Sequence, residues 1–206
     1  MMLRSQGDDG VVEEKKTLIT GCGRSGTKYI SHVLSAAGLD VRHEIMGKDG
    51  VASWLLGVDA ESVPWGPRRR DFRFRTILHQ IRHPLAVISS AQTFTQVSWG
   101  FICQHIRCEL EEPLALRCAK YWRYWNEQIE PEADWRYRVE DVQVIWNELC
   151  ERTGCPADHA ALAVAARDIN SRKGAYEALD WNALRSLDSP LCLAIQEQAA
   201  RYGYRL

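Results

Sequence analysis

The chain has 206 residues, of which 46% are hydrophobic and 26% are charged, and its formal net charge is −1. This size and composition are typical of one globular domain, and a charge so close to zero offers no general attraction to nucleic acid. No apolar run approaches the length of a membrane span, and the polar, acidic head argues against a secretory leader. The sequence therefore predicts a single domain over 1–206, with 1–15 as a loose N-terminal segment.

Seven cysteines are scattered along the chain without a CxxC pair, at positions 22, 103, 108, 118, 150, 155 and 192. An odd number of cysteines without paired spacing indicates neither a disulfide framework nor a zinc site. We therefore expect reduced thiols in a cytoplasmic protein, and no metal site.

Apolar periodicity and turn residues divide the chain into alternating strands and helices. In chain order they predict a strand at 16–20, a helix at 27–37, strands at 39–43 and 76–82, helices from Pro84 and at 112–130, a strand at 135–141, and helices at 142–154, 156–166 and 190–202. Strands that alternate with helices favour a parallel sheet covered on both faces. The predicted fold class is α/β, a three-layer sandwich with a mostly parallel central sheet.

A glycine-rich turn, GCGRSGT at 21–27, lies between the first predicted strand and the first predicted helix. Glycines let the backbone approach a ligand, and the free amides and dipole of the following helix attract an anion. Gly21 and Gly26 have the spacing of the nucleotide loop GxxxxGK[ST], but Lys28 comes one place late and no Ser or Thr follows it to hold magnesium. The turn predicts a metal-free phosphate site with Arg24 as its cation; the alternative is a turn that serves only packing.

The stretch GRSGTKY, residues 23–29, resembles the 5′-phosphosulfate loop of the P-loop sulfotransferases, which use 3′-phosphoadenosine 5′-phosphosulfate (PAPS) as co-substrate. Tyrosylprotein sulfotransferases and many bacterial members have arginine at the basic position, as Arg24 is here, whereas Lys28 departs from the usual second threonine. The resemblance implies a P-loop nucleoside-triphosphate-hydrolase-like fold. It also implies co-substrate contacts from Gly23, Arg24, Ser25, Gly26, Thr27, Lys28 and Tyr29, the last either stacked on adenine or packed in its helix.

In this family an arginine at a strand end and a serine eight residues later bind the 3′-phosphate. The stretch IRHPLAVISS at 81–90 matches this pattern with Arg82 and Ser90, and Ser89 is the neighbouring candidate. The forked guanidinium group suits phosphate oxygens. A weaker likeness, SRKGAYEALDW at 171–181, implies that Arg172, Lys173 and Gly174 close the nucleotide site; a solvated basic loop is the alternative.

Sulfuryl transfer requires a base for the acceptor hydroxyl and positive charge beside the leaving phosphate. The resemblance gives Arg24 the electrostatic role. Glu44, about twenty residues past Arg24, matches the glutamate base of tyrosylprotein sulfotransferases, and His43 is the reserve candidate because cytosolic members use a histidine. The alternative for Glu44 is an ion pair with Arg42 or Lys48.

These motifs together predict a PAPS-dependent sulfotransferase that acts on a hydroxyl of a small molecule or glycan, with carbohydrates as one acceptor class and no nucleic-acid partner. The second hypothesis is a P-loop small-molecule kinase, which the displaced Lys28 disfavours. The third is a nucleotide-binding module without transfer activity, which would need neither Glu44 nor His43.

Overall fold

The computed structural model describes residues 12–109, 111–164 and 176–205, and in it five strands form one sheet in which every neighbouring pair is parallel. The strands are β1 Glu13–Thr20, β2 Val41–His43, β3 Gly50–Ala52, β4 Phe72–Ile81 and β5 Trp135–Arg138. Their order across the sheet is β2-β3-β1-β4-β5. The predicted α/β class is confirmed, with a wholly parallel sheet.

Eight α-helices occur in the described part of the chain: α1 Thr27–Ala36, α2 Pro84–Ala91, α3 Gln96–Ile102, α4 Leu114–Ile129, α5 Trp146–Thr153, α6 Ala160–Val164, α7 Trp181–Leu187 and α8 Ser189–Arg201. Single 3₁₀ turns lie at Leu55–Gly57, Arg69–Asp71 and Val139–Asp141. Helices α1, α5 and α6 pack in one hydrophobic cluster with Ile19 and Leu78 of the sheet. Helices α2, α3, α4 and α8 form a second cluster. The sheet is therefore flanked by helices.

The second half of the central strand β1 is buried on both faces of the sheet. Its first half, Glu13–Lys16, is largely exposed, whereas Thr17–Thr20 is buried. Leu18 and Ile19 are both fully buried although successive side chains of a strand point to opposite faces. On the second face the core is dominated by α4, whose Trp122 and Trp125 are fully buried and each contribute roughly 1.5–3 kcal/mol or more of hydrophobic stabilisation.

Three elements of the structure were not predicted from the sequence: β3, α3 and α7. With three residues, β3 is too short for a period of two to be recognised. Strand β4 begins at Phe72, earlier than the predicted 76, because its first residues pair with Glu13–Lys15. The predicted strand at 135–141 ends at Arg138, where a 3₁₀ turn takes over.

The prediction that all cysteines are reduced thiols is wrong for one pair. Cys103 and Cys108 form a disulfide, whereas the other five cysteines are free and buried. The turn that ends α3 brings the two Cα atoms to 5.4 Å, inside the range that a disulfide spans. A spacing of five residues does not by itself predict such a turn, so the pairing was not predicted.

The main predicted site residues lie at the edge of the sheet that is formed by the carboxyl ends of its strands. Helix α1 leads from β1 to β2 on one side, whereas β4 lies against the other side of β1. In open α/β sheets, ligands bind outside the carboxyl ends of the strands where the order reverses. The glycine turn, Arg82 and Glu44 all follow strand ends at this edge. No helix among the described residues is long and apolar enough to cross a membrane.

Candidate functional site

The glycine turn after β1 is pressed against β4 and has an unusual backbone. A Cβ added at Gly21 would lie 2.0 Å from the Gln80 carbonyl oxygen, so only glycine fits there. Gly26 has a φ of 96° and Arg24 a φ of 74°, both in the left-handed region. For Arg24 this conformation costs roughly 1–2 kcal/mol, a strain that is typical of functional loops.

Two amides of this turn already donate hydrogen bonds within the described part of the protein, whereas three at the start of the following helix do not. The Gly23 N–H donates to Tyr121 Oη at 2.6 Å, and the Ser25 N–H donates to the Cys22 carbonyl at 3.0 Å. The N–H groups of Gly26, Thr27 and Lys28 meet no acceptor in the part of the chain that the structure describes. These three amides begin the ten-residue helix α1, where the helix dipole favours an anion.

Two predicted loop residues show how the site is built. Gly23 makes room for its neighbours, because a Cβ there would lie 2.8 Å from Phe94 Cζ. Its amide is already bound to Tyr121, so in this structure it is not available to a phosphate. Ser25 is 1% exposed and its Oγ has no partner among the described residues. A buried hydroxyl without a partner costs about 1–3 kcal/mol, which a bound anion would offset.

Arg24 extends from the turn toward the end of α2. Its Nη2 donates to Thr93 Oγ1 at 3.0 Å, and its Cζ lies 5.1 Å from the centre of the Phe94 ring. Thr93 Oγ1 in turn donates to the Ser90 carbonyl at 2.8 Å. The guanidinium group of the first motif is thus linked through one threonine to the helix that carries the second motif.

Arg82 brings the two predicted motifs together. It follows the last residue of β4, and its Nη1 donates to the Arg24 carbonyl at 3.0 Å. In α2, Ser89 Oγ accepts the Leu179 N–H at 2.9 Å, which uses one of its lone pairs and ties its side chain to that segment. Ser90 is buried, and its Oγ has no hydrogen-bond partner within the described ranges. The side chains of Arg82 and Ser90 are thus better placed than Ser89 to receive a ligand.

Glu44 lies immediately after β2 with its carboxyl group buried. Its Oε2 accepts a hydrogen bond from Ser53 Oγ at 2.6 Å, and its φ is 61°. Burial raises the pKa of Glu44 to about 7, although hydrogen bonds from Ser53, the Trp54 backbone and the Trp65 side chain partly oppose the shift. The alternative of an ion pair with Arg42 or Lys48 is not observed, since Arg42 pairs with Asp40.

His43 stands between Glu44 and the glycine turn. Its Nε2 is 3.2 Å from Thr27 Oγ1 and 3.5 Å from Glu44 Oε1. Burial, aided by the charges of Lys28 and His32, lowers the pKa of His43 to about 4. Between pH 4 and pH 7 the Glu44 carboxyl and the His43 ring are therefore both neutral, and their contact is not an ion pair.

Tyr121 connects the acidic and basic sides of the site. Burial raises the pKa of its hydroxyl well above the ordinary value; an ionised Glu44 raises it further, whereas the hydrogen bond from the Gly23 amide and the charge of Arg24 lower it. Glu44 and Arg24 thus both act on one buried hydroxyl that holds the Gly23 amide. Three groups of residues thus lie at the same edge of the sheet: the glycine turn, Arg82 with Ser90, and Glu44 with His43.

The remaining predicted residues are less informative. Tyr29 is half-buried against the hydrophobic cluster of α1 and α5, and its stacking on adenine stays a prediction. Arg172, Lys173 and Gly174 lie outside the described residues. The segment that follows them is attached to α2, through the Leu179 N–H on Ser89 Oγ.

Four residues of this neighbourhood were missed by sequence reasoning: Ser53, Gln80, Thr93 and Tyr121. Their contacts join segments far apart in the chain; Tyr121 and Gly23, for example, are 98 residues apart. The helical spacing of 112–130 indicates that one face of α4 is buried. It does not indicate that the Tyr121 hydroxyl of this helix contacts the glycine turn. No local signal could have found these partners.

A separate cavity of about 400 Å³ lies along β5 and contains none of the predicted site residues. Two arginines that line it, Arg136 and Arg138, are paired with Glu130 and Asp141. Within the described ranges, no cluster of three or more His, Cys, Asp or Glu side chains is placed to hold a metal ion. Comparison with known proteins adds no relative: no family model matches the chain, and no curated protein matches it.

Proposed function

We propose that this protein is a sulfotransferase that moves a sulfuryl group from PAPS to an acceptor hydroxyl. The observation that chiefly supports the proposal is the 3.0 Å hydrogen bond from Arg82 Nη1 to the Arg24 carbonyl. It makes the 5′-phosphosulfate loop and the 3′-phosphate pair neighbours, as one doubly phosphorylated nucleotide requires. We extend the proposal to the fold: a glycine loop between the central strand and its helix is the arrangement of P-loop proteins.

The residues of the site fit such a nucleotide. The amides of Gly26, Thr27 and Lys28 would hold the 5′ end together with the buried hydroxyl of Ser25. Arg82 and Ser90 would hold the 3′-phosphate. When bound, PAPS supplies the sulfuryl group and a bisphosphate leaving group. Arg24, fixed by Thr93, places a permanent positive charge beside the oxygen on which negative charge develops.

Glu44 is the proposed base. Because the pKa of Glu44 is raised to about 7, its carboxylate is a stronger base near neutrality than an ordinary glutamate, and Ser53 fixes its orientation. The carboxylate takes the proton of the acceptor hydroxyl as the oxygen attacks sulfur. His43, whose pKa is lowered to about 4, is a weak base and is better suited to orient Glu44. A module that only binds nucleotide would not need this buried carboxyl, so its presence supports the enzyme.

Nucleotide binding should be measurable as a gain in thermal stability. Adenosine 3′,5′-bisphosphate, with a metal chelator present, should raise the melting temperature. At a concentration a hundred times its dissociation constant, the bisphosphate should add about 2.7 kcal/mol to the free energy of unfolding. This corresponds to a rise in melting temperature of roughly 5–10 °C for a chain of this length. The variant Arg82→Gln should lose most of that shift. Arg201→Gln, which changes an arginine beside the separate cavity, should keep it.

The same measurement discriminates the hypotheses. A larger shift with ATP and magnesium than with the bisphosphate would favour the kinase. No shift with either nucleotide would contradict the proposed function. A bisphosphate shift without transfer to any hydroxyl acceptor would favour the inactive module.

A further inference from the structure

The side-chain amide of Gln80 joins the glycine turn to the sheet. Gln80 lies in β4 and is fully buried; its Nε2 donates to the Ser25 carbonyl at 2.9 Å, and its Oε1 accepts from the Tyr137 hydroxyl of β5 at 2.7 Å. A carbonyl oxygen can only accept, so Nε2 must face Ser25, and Tyr137 must then donate to Oε1. The chemistry of the three groups therefore fixes the orientation of this amide.

This contact sets the direction of one peptide group. The Ser25 carbonyl and the Gly26 N–H belong to the same trans peptide and point in opposite directions. Since the carbonyl faces Gln80 in the sheet, the Gly26 N–H faces away from the sheet. Like the N–H groups of Thr27 and Lys28, it has no acceptor among the described residues. The fit is close, because a Cβ at Gly26 would lie 3.0 Å from Val139 Cγ2 and 3.4 Å from Gln80 Nε2.

From this geometry we infer that Gln80 is a positioning residue for anion binding: it holds the Ser25–Gly26 peptide with its N–H toward the bound phosphate, and Tyr137 holds Gln80. The inference deepens the proposed function and rests on it, because the phosphate belongs to the proposed co-substrate. Gln80 is buried and acts through the loop, not on the ligand itself. A preorganised amide binds an anion more tightly because it does not lose orientational freedom when the anion arrives.

The test measures bisphosphate affinity by calorimetry in two variants and a control. Gln80→Met keeps the volume of the side chain but removes the donor, and should weaken binding at least tenfold. The control Thr153→Val removes another buried hydrogen bond, from Thr153 Oγ1 to the Leu149 carbonyl in α5. It should keep the affinity of the unaltered protein despite lost stability. Equal affinity in Gln80→Met and the unaltered protein would overturn the inference.

Gln80→Glu adds a readout that a purely structural role would not move. A protonated carboxylic acid offers one donor and one acceptor, as the amide does, whereas a carboxylate would repel the Ser25 carbonyl. The other group that faces this side chain is the Tyr137 hydroxyl, whose pKa burial raises, so that it stays neutral. Compared with the unaltered protein at each pH, the variant should bind the bisphosphate well at pH 5 and poorly at pH 8. If the ratio of the two bisphosphate affinities were the same at pH 5 and pH 8, the inference would be contradicted. This test does not depend on whether Gln80→Met folds.

Inorganic phosphate separates this inference from the proposed function. The amide resonance of Gly26 is followed by NMR while phosphate is added to the protein and to Gln80→Met. If the bisphosphate does not bind but phosphate shifts the resonance only in the unaltered protein, the proposed function fails and the positioning role stands. If the bisphosphate does not bind and phosphate shifts the resonance in neither protein, the proposed function and the positioning role are both overturned. If phosphate shifts it equally in both, the positioning role alone is overturned.

Discussion

Replacing Arg24 by glutamine is expected to lower turnover by ~10²–10³-fold, the usual effect of removing one electrostatic donor from a transition state. Glutamine is uncharged, so the developing charge on the leaving phosphate loses its counter-charge. Bisphosphate affinity should fall less than about tenfold, or about 1.4 kcal/mol, because the amides of Gly26–Lys28 and the Arg82/Ser90 pair are unchanged. Turnover is followed as bisphosphate formation from PAPS, with a panel of hydroxyl acceptors and with water alone.

Arg152→Gln is the matched control for this experiment. Arg152 lies in α5 and forms an exposed ion pair with Glu148, so its loss should leave turnover unchanged. Glutamine, like arginine, has a side chain that is strained at the φ of 74° found at Arg24, so the substitution leaves the backbone strain in place and removes the guanidinium group with its contacts to Thr93 and Phe94. Equal losses of affinity and turnover in Arg24→Gln would show that Arg24 only binds the nucleotide.

Glu44→Gln should have the second large effect, a fall in turnover of ~10²–10⁴-fold with nucleotide affinity preserved. Turnover of the unaltered protein should rise with pH and level off above about 7, as the Glu44 carboxyl loses its proton. The residual activity of Glu44→Gln should lack this rise. Full activity in the variant would remove Glu44 from the mechanism, and loss of activity in His43→Gln alone would make His43 the base.

The same substitution should make the protein more stable, which a structural role for the carboxylate would not predict. The pKa of Glu44 is raised from 4.5 to about 7 in the folded protein, so the neutral form is favoured there. The stability that this group contributes is fully present below pH 4.5 and is lost as the pH rises to about 7, a change of about 3 kcal/mol. In urea unfolding, the free energy of unfolding of Glu44→Gln should therefore increase relative to that of the unaltered protein as the pH rises from 5 to 8. The exposed control Glu148→Gln should not.

The parts of the fold and of the candidate site that could be predicted are those that depend on short patterns of adjacent residues in the sequence. The glycines of the turn stand between an apolar strand and a periodic helix, and Arg82 stands at the end of another apolar strand. Both positions follow from adjacent residues, and the structure places both at strand ends. The eight-residue spacing favoured Ser90 over Ser89, and the contact of Ser89 with Leu179 gives that preference a physical reason.

The parts that could not be predicted depend on contacts between distant segments. The buried Glu44 carboxyl is held by hydrogen bonds from Ser53 and the Trp54 backbone, which oppose the rise in its pKa, and both residues follow the three-residue strand β3. The amide that orients Gly26 comes from Gln80, 55 residues away from the carbonyl it binds. Neither contact leaves a period or a motif in the sequence.

In the proposed function, the glycine turn and the Arg82/Ser90 pair bind opposite ends of one nucleotide. A crystal structure with adenosine 3′,5′-bisphosphate tests it most directly. We expect the 5′-phosphate on the amides of Gly26–Lys28, and the 3′-phosphate within hydrogen-bond distance of the Arg82 guanidinium and Ser90 Oγ. A bisphosphate bound in the cavity beside β5, or held at the turn with its 3′-phosphate remote from Arg82 and Ser90, would contradict it.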